Sequence, residues 1–230
     1  ALVAALAGRE QVSSHDFEES RDKVRWGRAK KSRVLEEEDR RITAYHEAGH
    51  AILAHLIPEV EPLHKVTIIP RGLSLGSTMQ LPERDRYQCS RTTAFGNLMV
   101  LFGGRIAEAR FCGDLSSGAA NDLERSSELA RRMVCEWGMS RRIGPIVYRV
   151  PAQGYVRDPE SAMVPLAEDT LREIDGEIRQ IIEEAYAEAE EIIERHASDV
   201  EAIAHALLET ETLTGDQVAS VIRQNSLTLA

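Results

Sequence analysis

Three things are missing from these 230 residues, and each absence narrows the reading. There is no G-x-x-x-x-G-K-[ST] loop, so the chain lacks the backbone cradle of a phosphate-binding ATPase. The cysteines, Cys89, Cys112 and Cys135, are odd in number and none has C-x-x-C spacing. That excludes a disulfide scaffold or a cysteine-based zinc site and suits reduced thiols in a cytosolic setting. No apolar run is long enough to span a bilayer, and no secretory leader is visible. Aromatic residues are scarce at 5%, whereas Ala, Glu, Ile and Leu are plentiful, which favours a mainly α-helical fold. The net charge of −10 gives no support to a nucleic-acid partner. Acidic residues gather after Asp158 in helical patterns and read as solvated faces. The chain opens on Ala1-Leu2-Val3, without Met and already helical in character, and is expected to be a piece of a longer protein.

What is present is more specific. His46-Glu47-Ala48-Gly49-His50 is an H-E-x-x-H pattern inside a predicted helix. Four residues make about one helical turn, so both imidazoles project from one face and can grip one ion. Neutral imidazole is a good Zn²⁺ ligand. Glu47 follows the first candidate ligand and can take a proton from a water at the metal, the role of a general base in peptide-bond hydrolysis. Ile42, Tyr45, Ile52, Leu53 and Leu56 place the pair on an interior-facing stripe. Gly49 costs about 1 kcal/mol in mid-helix relative to Ala, which implies close packing against it. The competing reading is two buried histidines satisfied by hydrogen bonds, with Glu47 on a solvated edge.

Along the chain, residues 1–8 read as the end of a helix, and Ser13 with Asp16 as a capping box for a second. Residues 27–34 are basic and read as a linker. The histidine-bearing helix is predicted from about Glu36 to Ile57, before Pro58. Residues 65–70 are β-branched strand material, and 77–82 can pair back across a loop at 71–76, giving a small sheet of two or three strands. Its exposed edge, Ser77, Thr78, Met79, Gln80 and Leu81, is a candidate to hold a peptide as an added strand. Helices are expected over about 91–108, 116–137 and 165–196, with a polar loop at 158–164. Two more helices follow, with capping boxes at Ser198/Glu201 and Thr214/Gln217.

A catalytic zinc site needs a third protein ligand. His55 lies too close to His50 for the extended H-E-x-x-H-x-x-G-x-x-H pattern, and Glu59 and Glu61 lie just beyond Pro58. Two later carboxylates compete. Asp122 shares a helical face with Leu129 and Met133, where a buried carboxylate needs a partner. Glu108 is the rival; it also suits an acceptor behind a ligand histidine, or an ion pair with a neighbouring Arg. Residue chemistry ranks Asp122 first and leaves both open.

These residues resemble the protease part of the FtsH family of membrane-anchored, ATP-dependent zinc metalloproteases. The resemblance rests on Thr43 to Ala51 around the two histidines, His64 to Gly72, Met79 to Pro82, Gly103 to Glu108 and Ser117 to Leu123, with Asp16 to Val24 similar to the tail of the ATPase module. It departs at Thr92 to Asn97, where the family has a charged, Leu-rich helix, and it weakens after Trp137. It implies a helical zinc metalloprotease domain with a small sheet or hairpin. His46, His50 and Asp122 would bind Zn²⁺, with Glu47 as base. Residues 1–26 would be the end of the ATPase module, 27–34 a linker and 35–230 the metallopeptidase domain. It also implies a homo-hexamer and unfolded, misassembled or membrane polypeptides as substrates. ATP and Mg²⁺ would serve only the full-length protein, anchored at the cytoplasmic face of the inner or plasma membrane by segments beyond this soluble piece. A hexamer-forming assembly module with a structural or inactive metal site is the alternative.

Overall fold

The computed structural model describes residues 1–27, 36–71, 75–82, 88–148 and 166–228. Apart from Gly27, the expected linker lies outside the described residues, as do the 158–164 loop and the expected start of the long helix at Pro165.

At the centre runs α3 (Glu37–Leu56), which buries Ala44, Ala48, Ala51, Ile52 and Leu53 completely. Its first turn carries Glu37, Glu38 and Asp39, which suit the positive end of the helix dipole. It ends where Ile57 turns extended, the conformation Pro58 imposes on the residue before it. Across it lies α4 (Arg91–Ala107), capped by the Ser90 hydroxyl accepting from the Thr93 amide. Gly49 and Gly103 meet at the crossing. A Cβ on Gly103 would sit 2.5 Å from the Gly49 carbonyl oxygen, and one on Gly49 would lie 2.7 Å from the Ala107 Cβ. The two backbones therefore touch, closer than any pair of side chains allows.

The helix that follows, α5 (Ala120–Cys135), and the long α6 (Glu168–Arg195) also pack against α4. Ile174, Ile178, Ile181, Ala185, Ala189 and Ile193 form the buried stripe of α6. Tyr186 meets Phe102 edge to face, with ring centroids 5.5 Å apart. Only His196 separates α6 from α7 (Ala197–Thr210), which packs against α3. The expected Ser198/Glu201 capping box does not form, because Ser198 already lies inside the first turn. His196 Nδ1 and Asn225 Nδ2 instead pair with the buried Asp199, at 3.0 and 2.7 Å. At α8 (Gly215–Thr228) the expected box does form. The Thr214 amide donates to the Gln217 side chain at 2.8 Å, and the Gln217 amide to the Thr214 hydroxyl at 3.3 Å.

β1 (Leu63–Thr67) and β2 (Ser77–Gln80) pair antiparallel, with Val66 opposite Thr78. A third strand, β3 (Thr212–Thr214), pairs antiparallel with the other side of β1, giving the order β2-β1-β3. β2 is thus an edge strand with one side free within the sheet.

The amino-terminal helices α1 (Leu2–Leu6) and α2 (Ser14–Trp26) meet the body differently. The Ser13/Asp16 box forms, and Arg9 adds an ion pair to Asp16 at 2.5 Å. α2 docks on the sheet through charge: Lys65 with Asp22 at 2.6 Å, Arg71 with Glu19 at 2.8 Å, and His64 with Glu18 at 3.1 Å. Phe17 and Val24 are 70% and 89% exposed. Little apolar burial therefore reinforces that contact.

The glycine crossing makes a signed prediction. Helix propensity alone favours Gly49→Ala by about 1 kcal/mol. The rigid backbone opposite should reverse the sign, with a net destabilisation of about 1–3 kcal/mol in urea unfolding. Equal or greater stability in the variant would show that the helices can part at no cost.

Candidate metal centre

One turn of α3 places His46 and His50 side by side, their rings 4.6 Å apart and nearly perpendicular at 78°. Each ring is held from behind, His50 by α4 and His46 by the turn that follows α4. The His50 Nδ1 lies 2.7 Å from the Val100 carbonyl oxygen, which only accepts. Nδ1 therefore carries the hydrogen, and Nε2 of the neutral ring keeps its lone pair. His46 Nδ1 lies 2.6 Å from Glu108 Oε1. Gly104 leaves room for the His46 ring, since a Cβ there would fall 2.5 Å from His46 Nε2. Val100, Gly104 and Glu108 are four residues apart, so one stripe running from α4 into the turn that follows it flanks both imidazoles.

The third group arrives from α5. Asp122 Oδ2 lies 3.4 Å from His46 Nε2 and 3.3 Å from His50 Nε2, and the two Nε2 atoms are 3.0 Å apart. A tetrahedral ion with bonds of about 2.0–2.1 Å has ligand atoms roughly 3.3–3.4 Å from one another. The three donor atoms thus mark one face of such a tetrahedron to within a few tenths of an ångström, and the residues fit a zinc ion. They form the one His/Cys/Asp/Glu group of that kind among the described residues.

Charge supports the same fit. Burial lowers the His46 pKa, but hydrogen bonds to Asp122 and Glu108 outweigh it and push it up to about 10. Burial raises the Asp122 and Glu108 carboxyls; the imidazoles beside Asp122, and His46 with the Ser116 amide beside Glu108, outweigh it and hold both below the usual carboxylate range. The pocket favours a positive charge, which a proton supplies when no metal does.

Glu47 is buried next to this cluster. Burial lifts its pKa above the ordinary carboxylate value, although His46, His50 and the Thr78 hydroxyl all pull it down. The Thr78 hydroxyl donates to Glu47 Oε2 at 2.6 Å. Glu108 occupies the far side of His46, the position of an acceptor behind a ligand. Its other oxygen accepts the Ser116 amide at 2.8 Å. Glu108 opens a π-helical turn, Glu108–Cys112, that replaces the expected plain end of α4.

A cleft of about 750 Å³ opens over His46, Glu47, His50 and Asp122. Ser77, Thr78 and Gln80 of the expected substrate strand line it, and Val100, Leu101 and Leu129 supply apolar surface. Met79 and Leu81 are not among its lining residues: Met79 is buried in the core, and the Leu81 amide donates to the Pro62 carbonyl at 3.1 Å. The Val100 carbonyl and the Ser116 amide escape sequence reasoning, because backbone groups leave no mark in a residue pattern.

A helical scaffold with an H-E-x-x-H turn, a converging carboxylate and a buried glutamate beside an open strand edge defines a metallopeptidase. The chain belongs to peptidase family M41, whose family model matches residues 33–221. It is 45% identical to the ATP-dependent zinc metalloprotease FtsH 2 of Methylacidiphilum infernorum, over 99% of this chain and 36% of that protein. It is 43% identical to the ATP-dependent zinc metalloprotease FtsH of Acidobacterium capsulatum, again over 99% and 36%. Against the FtsH of Thermotoga maritima, also named an ATP-dependent zinc metalloprotease, the figures are 41%, 97% and 37%. The chain thus spans little more than a third of the length of these relatives.

The two carboxylates separate on metal titration. Metal-free wild type should take up about one Zn²⁺ per chain, and Asp122→Ala should lose that stoichiometry. Glu108→Gln should keep it with affinity weakened about 10–100-fold. The reverse pattern in a competition titration would exchange the roles of Asp122 and Glu108.

Proposed function

We propose that residues 35–230 form the zinc endopeptidase domain of an ATP-dependent protease, with His46, His50 and Asp122 as metal ligands and Glu47 as general base. The observation that carries this reading is the convergence of three donor atoms at tetrahedral spacing beside a buried glutamate. Bound there, zinc supplies Lewis acidity toward the scissile carbonyl and the attacking water.

The protein's own groups do the rest. The Val100 carbonyl and Glu108 hold the two Nδ1 atoms and so turn both Nε2 atoms toward Asp122. Glu47 accepts the proton of the attacking water and returns it to the leaving amine. The free edge of β2 takes the substrate as an added strand, with main-chain hydrogen bonds supplying affinity and the cleft sorting side chains. Recognition through the backbone gives broad sequence tolerance and requires an extended, unfolded substrate.

Residues 1–26 are read as the end of the ATPase module and 27–34 as its linker. ATP and Mg²⁺ act in the remainder of the full-length protein, since these 230 residues carry no phosphate-binding loop. The resemblance to FtsH supports a homo-hexamer, anchored at the cytoplasmic face of the inner or plasma membrane by segments beyond this chain, acting on unfolded, misassembled or membrane polypeptides. No helix among the described residues is long and apolar enough to cross a membrane. An assembly module with an inactive metal site is not favoured: the matched family is a peptidase family, and such a module has no use for Glu47.

Glu47→Gln should retain zinc and lose cleavage of an unfolded, dye-labelled polypeptide by about 10²-fold or more. Full activity in that variant would remove Glu47 from the mechanism. Proline substituted along a bound peptide should weaken binding at alternate positions, where an amide must donate to β2. Uniform tolerance in a binding scan would rule out strand addition.

A further inference from the structure

Thr78 stands where the edge strand and the base meet. Successive residues of β2 point to opposite faces, so with Met79 buried in the core, Thr78 points into the cleft. Its hydroxyl donates to Glu47 Oε2 at 2.6 Å and lies 3.4 Å from the Glu47 backbone carbonyl. Just before the strand, Gly76 brings its backbone against the same side chain: a Cβ there would fall 2.6 Å from Glu47 Oε1 and 2.8 Å from its Cγ. The glutamate is thus gripped by the start of β2, by close backbone approach on one side and a directed hydrogen bond on the other. A short hydrogen bond to a carboxylate is among the stronger polar contacts available.

We propose that Thr78 is a positioning residue for the general base, fixing the Glu47 carboxylate through its hydroxyl while its backbone belongs to the strand that receives the peptide. This rests on the metallopeptidase reading above and extends it: strand and base are mechanically one unit. A peptide pairing along the free edge of β2 immobilises the element that aims Glu47, so substrate alignment and base orientation are set together. The role of the hydroxyl is orientation, which affects turnover, whereas the backbone of residue 78 serves binding, which a side-chain change leaves alone.

The test separates the two. Thr78→Val keeps shape and β-propensity but removes the donor; Thr78→Ser keeps the donor. With zinc content and melting temperature monitored, Thr78→Val should lower kcat by about 10–100-fold with KM within about twofold of wild type, while Thr78→Ser should stay within about threefold in kcat. Thr78→Ala, which also lacks the donor without adding bulk, should match Thr78→Val. In a Glu47→Gln background, where turnover is absent, Thr78→Val should leave the anisotropy Kd of an unfolded fluorescent peptide unchanged. Wild-type kcat in Thr78→Val, equal losses in Thr78→Val and Thr78→Ser, or a loss confined to KM would each overturn the assignment. Cleavage that survives Glu47→Gln alone would instead sink the underlying mechanism, so the two failures are distinguishable.

Discussion

The contact between the Gly49 and Gly103 backbones governs everything else at the site. It sets the spacing of α3 and α4, and that spacing decides whether the Val100 carbonyl and the Glu108 carboxylate reach the two histidine rings. A side chain at either glycine would push the helices apart by more than a hydrogen bond tolerates. The cost in helix propensity is thus the condition for a pair of imidazoles with a fixed tautomer and direction. Gly104, one residue further on, serves the ring of His46 in the same way.

Glu108 links that crossing to the third candidate ligand. One of its oxygens faces His46; the other accepts the Ser116 amide, and the Ser116 hydroxyl in turn accepts the Gly118 amide. The segment it holds is the one that begins α5 and delivers Asp122. The carboxylate ranked second in sequence is therefore the group that ties the histidine helix to the carboxylate ranked first. Its charge is balanced locally by His46 and by a backbone dipole, so it can be buried without a metal of its own.

The local parts of this arrangement are legible in the sequence. The spacing of His46 and His50 depends only on helix pitch, and the bounds of α3 follow from acidic residues at one end and Pro58 at the other. Asp122 can be ranked because a carboxylate on an apolar helical face calls for a partner. Other parts are not legible. β3 is a Thr-Leu-Thr triplet, too short to display a period, and it becomes a strand only because β1 offers it a partner. The Ser198 capping box has the right residues, but α7 already begins at Ala197, so Ser198 lies within the helix and not at its cap. The proposed substrate strand reads in sequence as five equivalent residues, whereas pairing with β1 turns Met79 inward and leaves Ser77, Thr78 and Gln80 at the cleft.

An open strand edge also exposes a molecule to its own kind, because two such edges from separate copies can zip together. Here the strand ends after four residues, and the wall of α5 stands across the cleft from it. So short an edge gives a second copy little length to pair with, and it is kept without a charge or a proline on the strand that would spoil it for a peptide.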